Sequence, residues 1–163
     1  MRFLVAGVGN IFFGDDGFGC AVARELARAP IVQAKVADFG VAGIHLAYEL
    51  LAGYEHAFII DAVPRGGAPG TLYVIEPDGR APAGAPDPHG MDLGHVFAFA
   101  YALGGSPPPV TIVGCEPAAI DEGIGLSPPV AAAVEQAAAL VRRLLSTRAT
   151  SARRRDEKRK ERV

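Results

Sequence analysis

The stretch Arg2-Phe-Leu-Val-Ala-Gly-Val8 sets one charge in front of a run with no polar side chain, and Gly9 ends it. A strand with one face in water would alternate polar and apolar residues. An unbroken apolar run reads instead as a strand covered on both faces, here over residues 2–8. His56-Ala-Phe-Ile-Ile-Asp-Ala62 predicts another strand, ending on Asp61.

Between and after these runs the apolar period changes to that of a helix. Phe18, Val22, Leu26 and Ala29 predict a helix over about 17–29. Residues 33–38 read as a strand ending in Asp38, and Asp38-Phe-Gly-Val-Ala-Gly43 as a turn. A helix then runs to about 52, with Ile44, Ala47 and Leu51 inward. Residues 70–76 suit a returning edge strand, because the preceding loop is too short for a helical crossover. Four prolines and three glycines make 77–90 a loop. Leu93, Val96, Phe97, Ala100 and Tyr101 form the stripe of a helix over about 91–103, and 109–114 is a fifth strand. The last helix opens at Ser127, a good N-cap, followed by Pro128, with Val130, Val134, Val141 and Leu145 on the sheet. The fold expected is a single α/β domain over 1–147, a mainly parallel twisted five-stranded sheet with helices on both faces.

Residues 148–163 differ. They hold eight Arg or Lys against three Asp or Glu, which leaves eight basic and fifteen acidic side chains in the first 147. This basic segment is expected to be a disordered or frayed, solvated tail, with docking to an acidic partner surface or an anionic membrane as the other reading. The whole chain carries a net charge of -2, which gives no reason to expect nucleic acid as the main partner. No apolar stretch approaches the roughly 20 residues of a membrane span. Nothing at the N-terminus resembles a signal peptide, and two cysteines, Cys20 and Cys115, are too few for a disulfide framework. The cytoplasm is the expected compartment.

The chemistry concentrates where the loops after the first three strands meet. Asp15 and Asp16 follow the first strand, Asp38 ends the second, Asp61 ends the third, and His89 stands before a helix. In open α/β sheets that edge binds ligands. Crowded carboxylates repel one another unless protons or a cation lie between them, and mixed oxygen and imidazole donors suit zinc, nickel or iron better than calcium. Plainer roles exist for each: one of Asp15 and Asp16 as a helix cap, Asp38 in an Asx-turn, Asp61 opening a turn, His89 as a loop histidine. His45, His56 and His95 read as structural, with His45 and His95 solvated, and both cysteines as small hydrophobes. Gly7-Val-Gly-Asn-Ile-Phe12 invites a nucleotide-binding reading, with Asp38 as the ribose-binding acid. Phe12 is too bulky for the third glycine position, and Asp15 and Asp16 would repel a pyrophosphate.

Taken together, Gly7-Val-Gly-Asn-Ile-Phe-Phe-Gly-Asp-Asp-Gly-Phe-Gly19, Asp38-Phe-Gly-Val-Ala-Gly43, Ile59-Ile-Asp-Ala62, Ala68-Pro-Gly-Thr71, Pro88-His-Gly-Met-Asp-Leu93, Val113-Gly-Cys-Glu-Pro117 and Gly123-Ile-Gly-Leu-Ser-Pro128 resemble the signature of the nickel-iron hydrogenase maturation proteases. The resemblance covers about residues 1–146, in order. It implies an endopeptidase that trims the C-terminal extension of a hydrogenase large-subunit precursor once nickel is in place. It places a metal-binding trio on Asp16, Asp61 and His89 and gives Asp38 a part in shaping or binding substrate. Some members have glutamate at the position of Asp16, and glycine is frequent at that of Phe39. The basic tail is not a family feature.

The trio is a thin ligand set for permanent zinc, which fits nickel that arrives in the substrate; zinc or cadmium could take its place. Asp15 or Asp38 are the expected acceptors of a proton from the attacking water. The competing expectations are a nickel-sensing chaperone that does not cut, and a nucleotide-binding α/β protein.

Overall fold

The computed structural model describes residues 2–77 and 93–160, and of residues 156 and 158–160 the backbone alone. Five strands form one sheet: β1 (Phe3–Val8), β2 (Ala34–Gly40), β3 (His56–Ala62), β4 (Leu72–Ile75) and β5 (Val110–Cys115). Their order is β2-β1-β3-β5-β4. All pairings are parallel except that of β4, which returns antiparallel to β5 as the sequence predicts. The mainly parallel five-stranded sheet with helices on both faces is therefore the fold.

Strict alternation along β1 and β3 sorts the core into two layers. Phe3, Val5, Phe58, Ile60 and Ala62 face one cluster, built with helices α1 (Phe18–Ala27) and α4 (Pro128–Lys160). Leu4, Ala6, Val8, Ala57 and Ile59 face the other, built with α2 (Gly43–Leu50) and α3 (Leu93–Ala102). A run apolar at every position is thus explained by helices on both sides. Among the described residues no helix is long and apolar enough to cross a membrane.

The inward face of α2 departs from the sequence reading. Leu46, Ala47 and Leu50 are buried, whereas Ile44 is exposed and Leu51 only packs at the edge. The helix begins at Gly43 and is two turns long, so the sheet and α3 choose its buried face, and the longer stripe through Ile44 is not used. On α3, Val96, Phe97 and Ala100 are buried and Tyr101 is exposed.

The larger departure concerns the basic segment. Where a disordered or frayed tail is expected from 148, α4 continues without a break to Lys160. Residues 148–160 contain no glycine or proline and are rich in Arg, Lys, Glu and Ala, so propensity favours carrying on a helix already nucleated by packing. Its first turns are also held. Arg148 pairs with Glu76 beyond β4 and donates to the Thr111 hydroxyl, Ala149 packs on the core, and Ala152 is buried.

Candidate functional site

The strand order makes β1 the point where the chain changes direction, since β2 lies on one side of it and β3 on the other. In open α/β sheets such a point, at the strands' carboxyl ends, is where ligands bind. Asp16 lies on the loop after β1 and Asp61 at the end of β3.

Three glycines let the backbone close on this point. A Cβ on Gly19 would sit 2.1 Å from the Ile60 carbonyl oxygen and 2.3 Å from that of Val8, so the start of α1 rests directly on β1 and β3. A Cβ on Gly7 would meet the Gly19 oxygen at 2.2 Å. Gly9, at φ +127°, turns the chain so tightly that a Cβ there would meet the Asp16 carbonyl oxygen at 1.9 Å.

Between Gly9 and α1 the chain makes one 3-10 turn, Gly14–Gly17, with both aspartates buried in it. Neither caps α1, whose N-cap Gly17 has no side-chain cap bond. Asp16 accepts a 2.7 Å bond from the Asn10 amide, closing its own loop. Asp15 reaches across the molecule instead. Its Oδ1 accepts from the Ser127 amide at 2.7 Å, and its Oδ2 from the Ser127 hydroxyl at 2.8 Å and the Ala118 and Ala119 amides at 2.8 and 3.2 Å. Burial pushes this carboxyl upward, but the bonds from Ser127, Ala118 and Ala119 outweigh it and hold the group below its usual range. With four donors on two oxygens, Asp15 is a tether and not the proton acceptor that its position in the sequence suggests. The turn also sets both buried aspartates just before the start of α1, where their charge would oppose a pyrophosphate.

Asp38 and Asp61 diverge. Asp38 is registered with Gly7 and sits one position short of Asp61, whose neighbour Ile60 pairs with the same Gly7. Side chains alternate, so Asp38 faces α1, where Arg24 approaches to 3.1 Å, while its other oxygen accepts from the Gly40 amide at 3.0 Å. Asp61 projects on the opposite face, that of α2 and α3, and its Oδ1 accepts from the Ala62 amide at 2.8 Å. Asp38 is therefore a turn-forming group, the Asx role open to it from sequence.

His89 lies outside the described residues. Leu93, the first residue of α3, follows four positions later in sequence. α2 and α3 run side by side in one direction. Gly43 and Ile44 line a groove with His95 and Phe99, and Leu51 meets Gly105 at the other end. The start of α3 is thus on the same edge as the start of α2, which follows the Asp38 turn. Among the described residues alone, no group of three His, Cys, Asp or Glu is arranged to hold a metal ion.

Sequence reasoning missed Glu116. It is buried at the end of β5, and Oε2 accepts from the Arg65 amide and the Tyr73 hydroxyl at 2.8 and 2.9 Å, Oε1 from the Gly66 amide at 3.1 Å. Burial raises its carboxyl, and the bonds from Arg65, Tyr73 and the two following glycine amides override that and keep it ionised to lower pH than usual. It fixes the loop directly after Asp61. A glutamate inside the otherwise apolar Val113-Gly-Cys-Glu-Pro117 was the only available signal.

Both cysteines are buried. Burial, followed by the nearby Asp38 carboxylate, raises the Cys20 thiol to about 12. Burial, then Asp15 and Glu116, raises Cys115 to about 11.

Comparison with known proteins identifies the family and supports the fold. The family model described as hydrogenase maturation protease matches residues 20–144. The chain is 34% identical over 143 residues to the Hydrogenase 2 maturation protease of Escherichia coli (strain K12), across 84% of this chain and 86% of that protein. The hydrogenase maturating endopeptidase HybD from E. coli has a similar structure, with a TM-score of 0.78 and 30% identity over 90% of this chain and 93% of that one. The hydrogenase 2 maturation peptidase from Thaumarchaeota archaeon SCGC_AB-539-E09 superposes with a TM-score of 0.70 and 34% identity, over 90% and 99%. The chain belongs to the hydrogenase maturation protease family.

Proposed function

We propose that this chain is an endopeptidase that removes the C-terminal extension of a nickel-iron hydrogenase large-subunit precursor, and that Asp16, Asp61 and His89 recognise the nickel that the precursor carries. The observation that supports this most directly is the pair of carboxylates at the carboxyl ends of β1 and β3, in a chain of this family. The donor set is two oxygens and an imidazole, a combination that binds nickel or zinc and leaves coordination positions for the precursor's own ligands.

Hydrolysis adds water across the peptide bond, so the attacking water loses a proton and the leaving nitrogen gains one. With Asp15 saturated by donors and Asp38 held against Arg24, the remaining carboxylates at this edge are Asp16 and Asp61. Asp61 is the more exposed of the two, and its carboxylate oxygen that does not hold the nickel would accept that proton. In the same proposal Asp38 shapes the Asp38–Gly43 turn on the same edge. A cytoplasmic site of action fits a substrate loaded with metal before it is trimmed.

The test is incubation of nickel-loaded and nickel-free precursor with the native protein and with Asp16→Asn, Asp61→Asn and His89→Ala, read by intact mass. Loss of the extension from loaded precursor alone, abolished in all three variants, is the expected result. Equal cutting of nickel-free precursor would defeat the recognition role. A stable complex with an intact C-terminus would favour a chaperone.

A further inference from the structure

Asp61, Gly114 and Tyr73 stand in one row across β3, β5 and β4, because Gly114 is registered with both of the others. Register partners share a face, so Tyr73 projects on the same side of the sheet as Asp61, two strand spacings away, or about 10 Å. Gly114 has no side chain, and the Val63 side chain fills the space over it, so the surface between Asp61 and Tyr73 is apolar.

At the far end of this row sits an exposed arginine. The guanidinium of Arg65 lies over the Tyr73 ring, 5.4 Å from its centroid. Both halves of this arrangement are fixed by one buried group, since Glu116 accepts from the Arg65 amide and from the Tyr73 hydroxyl. Among the described residues no carboxylate pairs with the guanidinium itself. The other described arginine near this edge, Arg24, is by contrast held by Asp38. The first 147 residues carry fifteen acidic side chains against eight basic ones. A guanidinium stacked on a ring and paired with no carboxylate among the described residues, on so acidic a body, has the form of a binding group and not of a stabilising ion pair.

We infer that Arg65, stacked on Tyr73 and positioned through Glu116, is a specificity-determining residue that receives a carboxylate of the precursor's C-terminal extension. The inference rests on the proposed function, because it takes the extension to lie along the row that starts at Asp61. A planar guanidinium can hold a carboxylate through two parallel N–H···O bonds, and stacking on a ring removes much of the freedom lost on binding. At about 3.3 Å per extended residue, the gap places that carboxylate about three residues from the scissile bond. Two sources share this chemistry: an acidic side chain of the extension, or its terminal carboxylate.

The experiment compares native protein with Arg65→Ala and Arg65→Lys on three nickel-loaded precursors. One is unmodified, one has the acidic side chains within four residues of the cut changed to their amides, and one ends in a carboxamide. KM and kcat are measured for cleavage, and Kd is measured for the nickel-loaded precursor by rapid mixing, before cleavage proceeds. The expected result is a KM and Kd about tenfold higher for Arg65→Ala, a smaller rise for Arg65→Lys, and kcat within twofold of native. The modification that removes the recognised carboxylate should raise KM for native protein and leave Arg65→Ala unchanged, which identifies the source. Arg65→Ala retains the amide bonded to Glu116, and an unaltered melting temperature would confirm that the loop is intact. A KM and Kd within twofold of native overturn the inference, as does a rise undiminished on precursors lacking both carboxylates. If native protein binds the precursor through Arg65 but leaves it uncut, the endopeptidase reading falls and the inference about Arg65 stands.

Discussion

Ser127 donates both its backbone N–H and its hydroxyl to Asp15, 112 positions earlier in the chain, and so ties the first turn of α4 to the loop after β1. Two further amides, of Ala118 and Ala119, converge on the same carboxylate. Asp15→Asn replaces one acceptor with an amide that points a donor at donors. It is expected to cost on the order of 3 kcal/mol of stability by chemical denaturation, because buried N–H groups would lose their partner. The pH dependence follows from the sign of the shift. The folded carboxyl titrates below the unfolded value of about 3.9, so its contribution is complete above that pH and is lost as pH falls through the lower folded value. Asp15→Asn should therefore be least harmful, relative to native, in strong acid.

His56 gives a second acid sensitivity in a higher window. Its Nε2 is 2.8 Å from the Thr111 hydroxyl, and its ring packs on Phe58. Burial, with the Arg148 charge adding to it, lowers the imidazole to about 4. The unfolded imidazole titrates near about 6.5, so between these values the unfolded state binds the extra proton, and stability falls as pH drops from 6.5 towards 4. The full effect is roughly 3 kcal/mol. His56→Gln should flatten the stability profile across that window while leaving the lower one that belongs to Asp15. A slope that persisted in His56→Gln would assign it to another group.

What the sequence shows and what it hides divide along a physical line. β1, β3 and the end of β3 at Asp61 are legible because a short apolar run between turn residues admits few structures. The edge role of β4 follows from loop length alone. The partners of Asp15 and Glu116 are not legible, because each carboxylate binds backbone amides, and amides carry no residue identity. The buried face of α2 misled for a related reason. Over two turns, several stripes satisfy the helical period, and only the packing against the sheet and α3 selects Leu46 and Leu50 over Ile44.

Gly19 gives a prediction about the backbone of the site. An alanine Cβ there would lie 2.1 and 2.3 Å from the carbonyl oxygens of two different strands, and neither belongs to a flexible side chain. Gly19→Ala must move α1 off the sheet, which shifts the Gly14–Gly17 turn and Asp16 with it. The expected cost is upwards of about 3 kcal/mol, in the range of severe overpacking. Gly53→Ala is the control, since its Cβ would meet nothing within 4 Å and the positive φ of +88° is the sole strain. That change should cost about 1 kcal/mol. Thermal melts of the two variants side by side would expose an error if Gly19→Ala proved as mild as Gly53→Ala.

The helical course of residues 148–160 makes the effect of shortening the chain depend on where it is cut. Ending after Ala152 removes Arg153, Arg154 and Arg155, all exposed, together with the residues beyond them. That should change stability by no more than about 0.5 kcal/mol. Ending after Thr147 also removes Ala149, which packs on the core, the buried Ala152, and the Arg148 pair with Glu76. The pair is largely exposed and worth at most about 1 kcal/mol, and the two alanines add a similar amount, so a loss of about 1–2 kcal/mol is expected. The shorter chain should differ in a second way. Arg148 is one of the causes that hold His56 down, so without it the imidazole titrates higher and the acid-sensitive window narrows from its lower end. Denaturation of both truncated chains at pH 7 and pH 5 measures both effects. If the two cuts were equivalent at both pH values, residues 148–152 would be no part of the folded body.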